Sequence, residues 1–205
     1  GSKQLPFAID NSGNYYLLLR HGYSQINNPE NFVLKHNDIP VTDTMVSNTY
    51  AGYYILKFDS DFNFQYIKPI TECVHSPYWG LNVDFYDMEC DSEDNIYFSG
   101  YVQISDTAAN PIYPYDVELA DNKHIYIHND GRHGVVLKMN SNGEILWANQ
   151  ARNYGIYGKS DFQNMILDEN YGNVYISGFA FPISPLYSGN YTVIGDNDTI
   201  INNYT

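Results

Sequence analysis

Two short segments of the chain place carboxylates in one pattern: Asp84-Phe85-Tyr86-Asp87-Met88 and Asp161-Phe162-Gln163-Asn164-Met165. Carboxylates repeated at one place can gather a cation or polarise a bound group. The plainer alternative is that each Asp accepts backbone N–H bonds and fixes the turn into a strand. Acid–base hydrolysis would need a defined carboxylate separation, which no sequence supplies. Aromatic rings stand just upstream of each segment, in His75-Ser-Pro-Tyr78-Trp79-Gly80 and Asn153-Tyr154-Gly-Ile-Tyr157-Gly158. Flat rings beside Asp and Asn suit a sugar, whose C–H face stacks on the ring while its hydroxyls meet the polar groups. Against this stands simple packing, because large aromatics fill gaps between sheets. With 21 Tyr in the chain, aromatic loops arise without any ligand. The ligand-binding candidates are Tyr78, Trp79, Asp84, Tyr154, Tyr157 and Asp161.

Metal ligation has one weak candidate. Asp59, Asp61 and Asn63 have the spacing that opens a Ca2+ loop, but Phe64 stands where the loop's glycine belongs and Ile70 where its closing Glu belongs. The matching Asn140-Ser-Asn142-Gly143 is an ordinary hairpin turn. His124 and His128 share one face of a strand, with His133 close by in sequence. A strand separates i and i+4 by about 13 Å, too far for two ligands of one metal, so these read as exposed hairpin histidines. No other cofactor is expected. Cys90 aligns with Leu167 and Ile9 and reads as a buried free thiol; Cys73 lies in the preceding loop, and nothing forces the two together. Three Asn-x-Thr sequons, at Asn190, Asn197 and Asn203, are unremarkable in a chain rich in both residues. No P-loop, GxSxG, HExxH or CxxC motif occurs. The chain is therefore expected not to be an enzyme.

The elements that carry these residues repeat. Asp10-Asn-Ser-Gly-Asn14-Tyr-Tyr16, Asp91-Ser-Glu-Asp-Asn95-Ile-Tyr97 and Asp168-Glu-Asn-Tyr-Gly-Asn173-Val-Tyr175 share one pattern, and the last two run on into Ser99-Gly100-Tyr101 and Ser177-Gly178-Phe179. A second pattern links Ile55-Leu-Lys57-Phe-Asp59 to Val136-Leu-Lys138-Met-Asn140. From Asn14 to Asn95 is 81 residues, and from Lys57 to Lys138 is again 81. Two unrelated motifs with one offset identify a repeat. A third motif, an apolar run around an Asx turn, recurs at 32–41, 117–127 and 192–201 and predicts a hairpin in every unit. Tyr, Ile, Val and Phe fill the periodic stretches while Asp, Asn, Ser and Gly separate them, so short strands and turns are expected throughout.

Composition bounds the reading. The chain has 205 residues, 43% of them apolar, enough for a sizeable core. A formal charge of −14 repels phosphate backbones and argues against nucleic acid. No run approaches the roughly 18 apolar residues of a membrane-spanning helix, so no membrane insertion is expected. Gly1-Ser2 read as the remnant of a cleaved tag, which leaves 3–205 as the folded segment.

The order D-x-x-G-N-x-Y-x-x-G-[FY], hairpin, then [IV]-L-K-x-[DN]-x-x-G-x-x-x-W resembles the bacterial SBBP repeat of seven-bladed β-propellers, best over 134–148 and 162–179. The first unit departs from it, with Leu19 in place of the glycine and Phe62 in place of Gly143. The resemblance implies an all-β propeller fragment of four-stranded antiparallel blades with an inserted hairpin in each. The units run about 5–84, 85–161 and a partial 162–205. It also implies a bacterial protein, secreted or at the cell surface, without assigned activity; fold alone confers no function.

In such a unit strand A (about 85–90) turns into B (96–101), and C (134–139) turns into D (144–149). Both tight turns fall at one end, and the B–C and D–A connections at the other. A unit of 81 exceeds the usual blade of about 40–50 residues, and the surplus gathers at the connection end. The expected function is a noncatalytic binding or adhesion module that recognises a glycan or protein through that loop face. The alternative is a structural segment of a larger assembly, such as a phage tail fibre (a virion location) or an extracellular repeat protein. Two and a half units do not close a ring of four to eight blades. Further blades of a longer chain, or other copies of this one, are therefore expected partners.

Overall fold

The computed structural model describes residues 6–21, 30–32, 35–36, 39–40, 45–47, 52–72, 81–104, 115–127, 131–153, 159–170, 172–181, 190–194 and 199–203. The described chain is all-β, and every pairing is antiparallel. The first unit contributes β1 (Phe7–Ile9), β2 (Tyr15–His21), β3 (Glu30–Phe32), β4 (Lys35–His36), β5 (Ile39–Pro40), β6 (Met45–Ser47), β7 (Gly52–Phe58) and β8 (Phe64–Glu72). The second contributes β9 (Leu81–Cys90), β10 (Ile96–Ile104), β11 (Tyr115–Leu119), β12 (Lys123–Ile127), β13 (Arg132–Met139) and β14 (Ile145–Asn153). The third adds β15 (Lys159–Asp168), β16 (Asn173–Phe181), β17 (Asn190–Ile194) and β18 (Thr199–Asn203).

The expected A-B-C-D meander is present twice, as β1-β2-β7-β8 and as β9-β10-β13-β14. The third unit shows β15 paired with β16. The inserted hairpin departs from expectation. It does not sit in the sheet of its own unit. The β11–β12 hairpin of the second unit joins the outer strand β8 of the first through Leu119 opposite Thr71. The β17–β18 hairpin of the third joins β14 of the second, Ala151 opposite Val193 through Asn153 opposite Tyr191. Each six-stranded sheet is therefore four strands of one unit and two of the next. Adding these strands covers an edge that would otherwise present unpaired backbone groups.

Local chemistry fixes the turns. Asp10, Asp59, Asp91 and Asn140 each open one, and each backbone carbonyl accepts from the N–H three residues on, at 2.9 to 3.0 Å. The fourth residue of each turn has positive φ: Gly13 80°, Phe62 63°, Asp94 61° and Gly143 79°. A type I turn followed by a left-handed residue is a common three-residue hairpin connection. Along the strands, alternation sends one set of side chains to each face. In β2, Tyr16 and Leu18 are buried, while Leu17 between them is exposed.

Equivalent parts of adjacent units touch, which stacks the units in register. At the A–B turns, Asn11 N–H and Ser12 Oγ donate to the Asp94 carboxylate at 3.0 and 3.2 Å. At the C–D turns, Lys57 Nζ and Tyr66 O–H donate to the Ser141 carbonyl at 3.2 and 3.1 Å. Between the first strands of units two and three, Met165 N–H donates to Asp87 Oδ2 at 2.7 Å. The main core lies between units one and two. Tyr16, Leu18 and Ile55 of the first pack against Met88, Ile96, Phe98 and Leu137 of the second, and Val117, Leu119 and Ile125 of the hairpin close it. A second cluster, Tyr97 and Val136 against Met165, joins units two and three.

The glycines that the first unit lacks meet close contacts in the other units. A Cβ on Gly100 would lie 2.0 Å from the Asp84 carbonyl oxygen, and one on Gly178 1.9 Å from that of Asp161. In the first unit the described part of β1 pairs with Tyr15–Leu17, short of Leu19. A Cβ on Gly143 would meet Lys68 Cδ at 2.8 Å and Tyr66 Cε2 at 3.1 Å, both from the first unit. At the matching position Phe62 is 66% exposed and stacks on Tyr15, ring centroids 4.3 Å apart.

Candidate functional site

Strand direction places one end of β2, β7, β10 and β13 beside the leading ends of β9 and β15. Asp84 and Asp161 occupy the same place in β9 and β15. Each lies just before a bulge, at Tyr86 and Gln163 respectively. The extra residue re-aims its side chain, and Tyr86 points across to the third unit.

Asp84 is buried, 4% exposed. Tyr53 O–H of the first unit donates to Oδ1 at 2.8 Å, and Tyr101 O–H of the second donates to Oδ2 at 2.8 Å. Arg20 Nη1, again from the first unit, reaches Oδ1 at 3.2 Å, its guanidinium 5.9 Å from the Tyr53 ring centroid. Burial, with the carboxylate accepting from each hydroxyl, pushes both Tyr53 and Tyr101 above the usual phenol range. Neither acts as a base near neutral pH. They are donors that tie two units to one carboxylate.

Asp161 is fully buried and joins units two and three in the same manner. Arg132 Nη1 donates to Oδ2 at 3.0 Å, and Tyr86 O–H approaches the same oxygen at 3.4 Å. Burial pushes Tyr86 up to about 12, aided by the charges of Asp161 and Asp84. Oδ1 of Asp161 has no hydrogen-bond partner among the described residues. The reason is in the repeat. Gly134 stands where the first unit has Tyr53, and Phe179 stands where the second has Tyr101. Burial raises the Asp161 pKa above the usual carboxylate range, and the nearby Asp84 charge adds to it, against the lowering pull of Arg132 and Tyr86. The two clusters touch, because the Arg132 guanidinium lies 4.3 Å from the centroid of Tyr101, whose hydroxyl holds Asp84.

A different pattern holds the other end of the units. Asp10 Oδ1 accepts Asn14 N–H at 2.8 Å while Oδ2 accepts Tyr16 O–H at 2.9 Å. Asp91 Oδ1 accepts Asn95 N–H at 2.8 Å, and Lys138 Nζ pairs with Oδ2 at 3.1 Å. Partial burial pushes both carboxyls up. The Asn14 and Asn95 hydrogen bonds and the lysine charges outweigh it and hold both below the usual range.

Of the candidates in the sequence, Asp84 and Asp161 are brought into one network. Tyr78, Trp79, Tyr154 and Tyr157 lie outside the described residues, as do Cys73 and His128. Side-chain donors reach both Asp residues. Asp59 spends Oδ1 on the N–H groups of Asp61 and Asn63, and Oδ2 on Asn63 Nδ2 and Gln65 Nε2. A Ca2+ ion there would have to displace those donors. Among the described residues no group of three or more His, Cys, Asp or Glu is placed to hold a metal. His124 is exposed, but His133 is fully buried rather than an exposed hairpin residue. Cys90 is a free thiol whose pKa burial pushes up to about 12. No helix among the described residues is long and apolar enough to cross a membrane.

Arg20, Tyr53, Tyr86, Tyr101 and Arg132 belong to the site without standing out in the sequence. The signal was scarcity: with ten Lys and Arg against 24 Asp and Glu, an arginine at the end of an apolar strand demands a carboxylate. No family model matches the chain, and no curated protein matches it.

Proposed function

We propose that the chain is a noncatalytic structural segment of a β-propeller-like repeat scaffold, part of a larger secreted or surface-exposed assembly. One observation carries this reading: the two described candidate carboxylates, Asp84 and Asp161, each bind side chains of the neighbouring unit. Asp84 takes donors from two units on both oxygens. The inserted hairpins of the second and third units, which would otherwise decorate a loop face, extend the sheet of the preceding unit. Repeat arrays draw stability from such nearest-neighbour contacts. The test is unfolding in urea of wild type and Asp84→Asn, followed separately in units one and two by hydrogen exchange. A scaffold of coupled units unfolds them together in the wild type and separately in the variant. Independent unfolding of wild-type units contradicts it.

A second reading, recognition of a glycan or protein at the connection end, is favoured by Asp161 Oδ1. It is a buried acceptor with room in its hydrogen bonding for a donor from outside. A glycan array tests it: saturable binding that Asp161→Ala abolishes supports recognition, and no binding counts against it.

A further inference from the structure

We propose that a second copy of this chain docks head to tail, its third unit covering the outer face of the first. The proposal rests on the scaffold reading and names the partner. Each unit has a leading face, turned to the unit before it, and a trailing face, turned to the unit after. On the leading face, Met88 of the second unit and Met165 of the third are buried at 4% and 2%. Phe7 of the first unit holds the same position and is 61% exposed. Beside it, Leu17 is 41% exposed, where its equivalent Phe98 is 0%. Ile9, 49% exposed, completes the patch. The trailing face shows the reverse. Tyr16 and Tyr97 are buried at 0% and 8%, while the equivalent Tyr175 is 56% exposed and Ile166 next to it 66%. The chain thus exposes at its two ends the two halves of an interface it already forms twice inside. Such surfaces are complementary to each other, not to themselves, so association is heterologous.

The test is sedimentation of wild type, Leu17→Lys, Ile166→Glu and an equimolar mixture of the two variants. Wild type is expected to associate increasingly up to about 100 μM, and each variant alone to weaken association at least about tenfold. The mixture restores a one-to-one pair, because one variant keeps an intact trailing face and the other an intact leading face. Phe7→Lys serves as an independent leading-face variant, and circular dichroism confirms that each is folded. A monomeric wild type, association that neither substitution weakens, or a mixture that stays monomeric overturns the proposal. Coupled unfolding of the units is read separately, so these failures leave the scaffold reading standing.

Discussion

The two carboxylates at the connection end occupy one structural position and live in different company. Asp84 has donors on both oxygens, two of them tyrosine hydroxyls at 2.8 Å. Asp161 has Arg132 and Tyr86 on one oxygen and nothing among the described residues on the other. Two positions of the repeat contribute to the difference, Tyr53 against Gly134 and Tyr101 against Phe179. A repeat conserves backbone geometry more strictly than polar satisfaction, because the glycine beside each carboxylate is fixed by a steric limit and the donors are not.

That steric limit gives the largest expected effect. Gly100→Ala drives a Cβ into the Asp84 carbonyl, within a sheet packed on both sides. It is expected to cost about 3–5 kcal/mol in urea unfolding. Gly178→Ala meets the same contact in the open third unit, and its smaller cost measures how much the closed sheet contributes. Next comes Asp84→Ala, which leaves two buried hydroxyls without their acceptor. A loss of about 3 kcal/mol is expected, well above that of Asp161→Ala. Tyr101→Phe makes the first site resemble the second and costs about 1 kcal/mol. Phe179→Tyr does the converse, and a hydroxyl reaching Asp161 Oδ1 is expected to stabilise by about 0.5–1 kcal/mol. A neutral or harmful Phe179→Tyr would show that Oδ1 does not lack a donor.

The fold was legible where residue type dictates geometry. The Asp-to-Asn turn pattern located every A–B turn, and the offset of 81 located equivalent strands in register. The hairpin itself was visible at 117–127, but its partner was not. Whether β11 pairs within its own unit or with β8 depends on where the connections carry it, and no local propensity encodes that. Asp84 and Asp161 stood out by repetition. Their donors did not, because Arg20, Tyr53 and Tyr101 come from two different units, and sequence spacing does not bring them together. The bulge that frees Tyr86 leaves no mark in residue type.

The smallest effects are in pH, and the carboxylates divide by sign. Asp10 and Asp91 have lowered pKa values in the fold. Their contribution is complete above the unfolded value of about 4 and is lost as pH falls through the folded one. Asp161 has a raised value. Its contribution is greatest below the unfolded value and is lost as pH rises through the folded one. Between about pH 3 and 6, Asp91→Asn should therefore lose stability relative to wild type as pH rises, while Asp161→Asn should gain. Parallel curves for the two variants would contradict the assigned shifts.

Hydrogen exchange of Asp84→Asn, read strand by strand, bears most directly on the idea that consecutive units share one carboxylate. The expected result is a joint loss of protection in β2 and β7 of the first unit and in β9 and β10 of the second, with β15 and β16 little changed. Loss confined to β9 and β10 would mean that Asp84 serves its own unit alone, and the clamp between units would be refuted.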